Sequence, residues 1–286
     1  MKIAIISVFG HMECLGSFLE LLKHDEVTVI LTPTTDKYKW LDFYKKTYTF
    51  NIDFNLNIHV NDYSHVIKLT SNDDCLHTDD STISLLHLKE LQYVNNRSKC
   101  YITLTPYITG ENVHYMFPIF KPITNKSNKQ IITFIGYYLN NNIDNDTDLF
   151  IQNNQEYQFI FVVWGDTTYS RLNRYSNVKV LQHIQTNVLV PLIRDSKYML
   201  SKKYINFDRF SGQLGMAMSF RKPLIIDSKT AEAYSLPGII FKKNYSEVKL
   251  STVSDIQYDG LLEDIKTFND TCIERNTNTL KQIFTK

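Results

Sequence analysis

Twice along this chain, short Ile- and Val-rich runs alternate with segments whose apolar residues recur at helical spacing. That alternation restricts the fold to parallel α/β architectures. Lys2–Val8 reads as a buried strand. Leu15–Lys23 sets Leu15, Phe18, Leu19 and Leu22 on one helical face, and Val27–Leu31 is the next strand. Strand, helix and strand within about 30 residues make a βαβ unit. The block continues with a Tyr- and Lys-rich helix near Lys37–Tyr48 and a strand at Ser64–Leu69. A helix capped by Ser81 is expected over Ser81–Val94, then a strand at Tyr101–Leu104 and a last strand in the apolar run Tyr115–Phe120.

The polar, punctuated stretch Pro122–Lys129 reads as a linker. The alternation then restarts, with a strand at Gln130–Ile135 closed by Gly136 and a helix over Asp146–Asn154 with an acidic first turn. Strands follow at Phe159–Trp164 and Val178–Leu181, a helix at Thr186–Ile193 and a short strand at Tyr198–Leu200. Next come a helix region over Asp208–Ser219, a strand at Leu224–Ile226, a helical turn at Ala231–Leu236 and a strand at Gly238–Phe241. The expected organisation is two Rossmann-like, doubly wound parallel-sheet domains facing a cleft. They span residues 1–121 and 130–254, joined by a linker at 122–129 and followed by a helical, polar segment over 255–286.

Composition narrows the function classes. The 286 residues are 43% hydrophobic and 21% charged, enough apolar material for two cores. With 31 basic and 30 acidic residues the net charge is +1, which argues against a polymeric nucleic-acid partner. Cys14, Cys75, Cys100 and Cys272 form no C-x-x-C pair and read as free thiols. The opening Met1–Gly10 is apolar over a short span without a small-residue cleavage site, so it reads as a strand and not as a signal peptide. No stretch approaches the ~20 apolar residues of a membrane span, and a cytoplasmic location is expected. The Asn-x-Ser/Thr triplets at Asn96, Asn145 and Asn269 follow from the abundance of Asn. The 18 Tyr and 17 Phe leave sugar stacking, peripheral membrane contact and core packing open as uses.

Open α/β sheets bind ligands at the carboxyl ends of their strands, so the loops there carry the candidates. His11, after the first strand and Gly10, suits a general base acting on an acceptor hydroxyl, or caps the following helix. Gly136, followed by Tyr137, allows close backbone approach to a phosphate or base. It is a single glycine and not the G-x-G-x-x-G fingerprint, so a structural turn is the other reading. His183 follows a strand, where ligand contact and loop packing are both open. Asp208 is an N-cap or a ligand for a sugar hydroxyl, and Arg209 and Ser211 are donors suited to a diphosphate. Ser211 and Gly212 open an apolar helix whose unpaired N–H groups suit a phosphate. That helix stops at Lys222-Pro223 and feeds a buried strand. The D-x-D pairs at Asp144/Asp146 and Asp146/Asp148 open a helix instead of following a strand, and read as caps and not as metal ligands. Met216 and Met218 read as core, and Trp164 as structural.

The unit Ser211–Ile226 resembles the donor-binding signature of GT-B glycosyltransferases. With Gly136, Val162–Asp166 and Asn177–His183, the resemblance extends over roughly Gln130–Phe241. Many retaining members carry two glutamates spaced E-x7-E here. In register, Asp208 falls on the first and Met216 on the second, so the second carboxylate is lost. The family's basic pair is also missing from Tyr137–Asn142, which leaves Arg209 or Lys222 to replace it. Gly10-His11-Met12 with the following apolar helix is similar to the start of inverting members, in which that His is the base. The resemblance further implies that the C-terminal helical segment crosses back onto the first domain.

What the resemblance implies is metal-independent transfer of a sugar from a nucleotide-diphosphate sugar to a hydroxyl of a glycan, lipid or protein. The nucleotide sugar is a co-substrate, and no further cofactor is expected. His11 and Asp208 are the expected catalytic pair. Gly136, Tyr137, His183, Arg209, Ser211, Gly212 and Gln213 are the expected donor-binding residues. Two readings stand beside it: a catalytically degenerate binding protein, and a sugar-nucleotide epimerase of the same architecture. The donor's sugar and base, the acceptor and the oligomeric state stay open.

Overall fold

The computed structural model describes residues 1–7, 12–57, 59–69, 82–87, 98–122, 127, 129–136, 145–163, 171–201 and 210–285. The chain divides into two compact units. The first comprises Met1–Pro122, Asn206–Gly212 and Asp270–Lys286, and the second Ile123–Ile205 and Gln213–Asn269.

In the first unit the elements run β1 (Lys2–Ser7), α1 (Met12–Leu21), β2 (Glu26–Leu31), α2 (Thr35–Tyr44), β3 (Asn51–Asp53), β4 (His65–Lys68), β5 (Thr82–Leu86), β6 (Cys100–Thr103) and β7 (Val113–Tyr115). Among the described residues these strands form one parallel sheet in the order β3-β2-β1-β4-β5-β6-β7. β1 and β2 are buried from their second residue onward, as strands covered on both faces must be. Helix α1 lies close to α2 because Gly16 has no side chain: a Cβ there would come 2.6 Å from the Tyr44 ring. The Tyr44 hydroxyl donates to the Met12 carbonyl at 2.8 Å, and the Trp40 ring stacks on Tyr44.

Two expectations fail in this unit. The helix expected over Ser81–Val94 is a strand at Thr82–Leu86, and the remainder of that segment beyond His87 lies outside the described residues until Ser98. All five residues of β5 are buried between β4 and β6. Thr82–Leu85 alternates polar and apolar residues, the period of a strand, and its β-branched Thr82 and Ile83 favour the strand over the helix expected from the wider apolar spacing. The last strand is Val113–Tyr115 and not Tyr115–Phe120. Beyond it Met116 donates to the Thr103 carbonyl at 2.9 Å, and Phe117, Ile119 and Phe120 are buried without a ladder.

The second unit runs β8 (Ile131–Gly136), α3 (Asn145–Asn153), β9 (Gln158–Val163), β10 (Val178–Gln182), α4 (Thr186–Asp195), β11 (Tyr198–Leu200), α5 (Gly212–Ser219, in this unit from Gln213), β12 (Leu224–Asp227), α6 (Ser228–Tyr234), β13 (Gly238–Phe241) and the part of α7 (Asp255–Thr285) up to Asn269. Its strands are parallel in the order β10-β9-β8-β11-β12-β13. Numbered within the unit this is 3-2-1-4-5-6, the Rossmann order. Ile132, Phe134, Phe159, Phe161, Tyr198, Leu200 and Ile225 line one face of the sheet and pack with Phe150 and Ile151 of α3. The expected fold class, two Rossmann-like sheets, therefore holds.

Helix α7 contributes to both units, its residues from Asp270 onward being grouped with the first. Asn269 donates to the Met218 carbonyl of the second unit, and Asn276 to the Phe117 carbonyl of the first, each at 2.7 Å. Near its end Phe284 stacks on His65, with centroids 4.0 Å apart. Cys14, Cys100 and Cys272 are buried free thiols, and Cys75 lies outside the described residues. Among the described residues no helix is long and apolar enough to cross a membrane.

Candidate functional site

The Rossmann order has one switch point, between its first and fourth strands, and ligands of such sheets bind outside the carboxyl ends there. In the second unit that gap lies between β8 and β11. Gly136 closes β8 with φ +155, a backbone conformation that L side chains rarely adopt. Next to it β11 ends at Leu200, followed by Ser201. Ser201 is fully buried, and its carbonyl accepts from the Tyr245 hydroxyl at 2.8 Å.

Helix α5 is tied to this edge. Gln213 is buried, and its side-chain amide donates to the carbonyl of Leu200. This bond sets the first turn of α5 over the end of β11. Leu214, Met216, Ala217 and Met218 are buried along the helix. The first N–H groups of a helix have no intrahelical partner, and the aligned peptide dipoles make that end attractive to anions. Gln213, expected among the donor ligands, is thus an anchor for the helix, with its amide nitrogen directed into the protein. Met216 is core, so the position of the family's second carboxylate is apolar here.

The helix ends as the sequence requires. Arg221 adopts the left-handed conformation, φ 52, its N–H donates to the Met218 carbonyl, and the Lys222 N–H donates to Ala217 at 2.8 Å. Pro223 then starts the run into β12. This geometry corrects the suggestion that Lys222 replaces a basic pair at the diphosphate. Lys222 precedes β12 and lies at the amino edge of a parallel sheet, where its ammonium donates to the Arg194 carbonyl at the end of α4, 2.7 Å away. Burial pulls its pKa down to about 8, opposed by Asp195 and helped by Arg194.

Of the other expected site residues, His11, Tyr137, Asp208 and Arg209 lie outside the described residues. Ser211 and Gly212 stand at the start of α5. His183 follows β10 with φ 51, at the carboxyl edge but separated from β8 by β9. Asp146 accepts from the Tyr245 and Ser246 N–H groups at 2.7 and 2.9 Å and from the Ser246 hydroxyl. It thereby caps a turn remote in sequence. Asp148 is paired with Arg171, Arg174 and the Tyr175 hydroxyl. Burial opposes ionisation, and these partners outweigh it, so its carboxyl is held below the usual range. Among the described residues no group of three or more His, Cys, Asp or Glu is placed to hold a metal.

Sequence reasoning missed two residues. Within the first unit, the Glu13 carboxylate in the first turn of α1 lies against Gly212: a Cβ built there would come 3.2 Å from Oε1. The available signal was its place two residues after His11. In the same unit Lys37 is buried, and its ammonium donates to the Ser7 carbonyl at 3.0 Å and the Thr32 hydroxyl at 2.7 Å. It joins the carboxyl ends of β1 and β2, where the chain leaves toward His11.

The sequence matches no family model and no curated protein. Solved structures match along its whole length. HepE from Anabaena, in complex with UDP and glucose, is similar with TM-score 0.62 and 12% identity, covering 99% of this chain and 100% of that one. AviGT4, a glycosyltransferase involved in avilamycin A biosynthesis, gives TM-score 0.63 and 11% identity over 100% and 98%. A UDP-GlcNAc 2-epimerase from Neisseria meningitidis bound to UDP-GlcNAc gives 0.53 and 12% over the full length of both chains. What the chain shares with them is the fold, that of the GT-B glycosyltransferases, in the compact and divergent form its sequence suggested.

Proposed function

We propose that this protein is a glycosyltransferase that moves a sugar from a nucleotide-diphosphate donor to a hydroxyl acceptor. The observation that carries the reading is the fixing of the α5 start by Gln213 at the β8/β11 switch point, beside Gly136. A uridine diphosphate sugar is the donor class to try first, because HepE of the same fold holds UDP and UDP-glucose.

In this mechanism the bond from the sugar's anomeric carbon to the diphosphate breaks as the acceptor oxygen bonds to that carbon. The acceptor proton passes to His11, and the configuration inverts. Negative charge builds on the leaving diphosphate. The α5 N-terminus with the Ser211 hydroxyl and Arg209 stabilises it as a fixed array of dipoles and one cation, without a divalent metal. Gly136 and Tyr137 border the nucleotide, and Asp208 orients the sugar.

A binding-only role is the second reading, favoured by the apolar Met216 where many members of the family carry a carboxylate. Thermal denaturation with nucleoside diphosphates and their sugars, with and without chelator, tests binding. A ligand at 100 times its Kd stabilises by about 2.7 kcal/mol. Release of diphosphate from a bound donor in the presence of sugar, lipid and peptide acceptors separates the readings. Turnover abolished by His11→Ala supports transfer with His11 as base. Binding without release supports the binding-only role.

A further inference from the structure

One carboxylate at the carboxyl edge of the second unit is only half accounted for. Asp227 ends β12, at the edge where Rossmann sheets bind their ligands. Its Oδ1 accepts from the Thr230 N–H at 3.0 Å and caps α6. Its Oδ2 is shielded from solvent and accepts from no described residue, and among the described residues it is the one carboxylate oxygen so left. A buried acceptor without a donor costs free energy, so such an atom in a folded protein calls for a partner. The residue as a whole is half-buried, which puts the carboxylate at the rim of the edge and not in the core.

Strand register places this oxygen beside the diphosphate position. β12 pairs with β11, Leu224 opposite Met199 and Ile225 opposite Leu200. Leu200 is the residue whose carbonyl holds Gln213, and with it the first turn of α5. Asp227 is one strand over and two residues farther along, about 7 Å beyond that level on the carboxyl side. Gly136, Leu200, Gln213 and Asp227 all belong to the second unit. Strand order decides which end of a donor Asp227 meets. The order is β8-β11-β12, so with the nucleotide bordered by Gly136 of β8 and the diphosphate at α5, the part that continues over β12 is the sugar. We infer that Asp227 binds the donor sugar, its Oδ2 accepting a hydrogen bond from a ring hydroxyl. The inference rests on the transferase reading above. The chemistry of the group agrees with that ligand: a neutral hydroxyl donates to a carboxylate, whereas a further phosphate would meet like charge. Because Thr230 holds Oδ1, the orientation of Oδ2 is set before the ligand arrives.

The test titrates UDP and UDP-glucose into the full chain by calorimetry, with UDP-N-acetylglucosamine as a second sugar probe and no acceptor present. Asp227→Asn is the informative variant. Asn caps a helix as well as Asp does, and the Thr230 N–H keeps the amide oxygen at the cap, so only Oδ2 changes, from an acceptor to an NH2 group. The variant is expected to melt within a few degrees of the wild type and to bind UDP within about twofold of it. Its affinity for the UDP-sugar is expected to fall about tenfold or more. Asp227→Ala, which also loses the cap, is expected to melt lower and to show the same selective loss. Equal loss for UDP and UDP-sugar overturns the inference, because a role through the fold would weaken both. So does an unchanged UDP-sugar affinity in Asp227→Asn, or a wild type that binds UDP and neither UDP-sugar, and these two results leave the diphosphate site standing. A wild type that binds no nucleotide overturns the inference together with the transferase reading.

Discussion

The side-chain amide of Gln213 donates to the carbonyl of Leu200, so the first turn of α5 is held by the last residue of β11. The bond is buried. Removing the donor removes this buried bond and frees the helix start from the sheet. Gln213→Ala is expected to lower stability by about 1–3 kcal/mol in urea denaturation. It is also expected to weaken nucleoside-diphosphate binding measured by calorimetry well below the denaturation midpoint. Unchanged binding by the folded variant would deny the anchor a role in the site.

Gly136 tests a different property of the same edge. A Cβ at this position would meet the Phe134 ring at 3.4 Å, an ordinary contact, so space is not the obstacle. Conformation is, because φ is +155. Gly136→Ala is therefore expected to destabilise by about 1–3 kcal/mol through backbone strain alone. Gly136→Val should lose little beyond that in thermal denaturation. A much larger loss for Val would point to steric crowding and contradict this account.

Lys222 gives the second unit a pH signature. Its folded pKa is lowered to about 8 from 10.5, chiefly by burial, so the native state releases this proton at a lower pH than the unfolded chain. Between about pH 8 and 10.5 the unfolded state binds more protons, and this group makes stability rise with pH. Below the folded value both states are charged, and the full penalty of burying the ammonium applies, at most about 3 kcal/mol. Lys222→Met removes the penalty together with the bond to Arg194. Its stability relative to wild type, from urea denaturation, is expected to decline as pH rises through this window. A constant difference from pH 7 to 10 would contradict the burial assignment.

Much of the fold was legible because parallel strands buried on both faces are written as uninterrupted apolar runs. Ile3–Ile6 and Phe159–Val163 could be little else. The helix stop at Lys222-Pro223 was legible because proline forbids continuation. β5 was not, since Ile83, Leu86, Leu91 and Val94 also fit a helical face and Thr82 and Ser84 are polar residues that the fold buries. β3 was not, since Asn51–Asp53 is a polar edge. The role of Gln213 depends on which carbonyl the fold brings to it, and no local pattern encodes that. The misplacement of Lys222 was avoidable: in a parallel sheet a residue that precedes a strand lies opposite the loops that follow the strands, and those loops carry the ligand.

Calorimetric titration of UDP into the wild type and into Gly212→Ala, both with chelator present, tests the central claim most directly. The three atoms nearest a Cβ at Gly212 all belong to the flexible Glu13 side chain, with Oε1 at 3.2 Å and Cγ at 3.3 Å, so the fold should accept it. The methyl group would still stand where the helix start presents its N–H groups. The account predicts metal-free binding of UDP to the wild type and at least a tenfold weaker Kd for Gly212→Ala, with the two melting temperatures within a few degrees of each other. Equal binding by both proteins, or no binding of UDP by the wild type, would contradict the placing of the donor diphosphate at the start of α5.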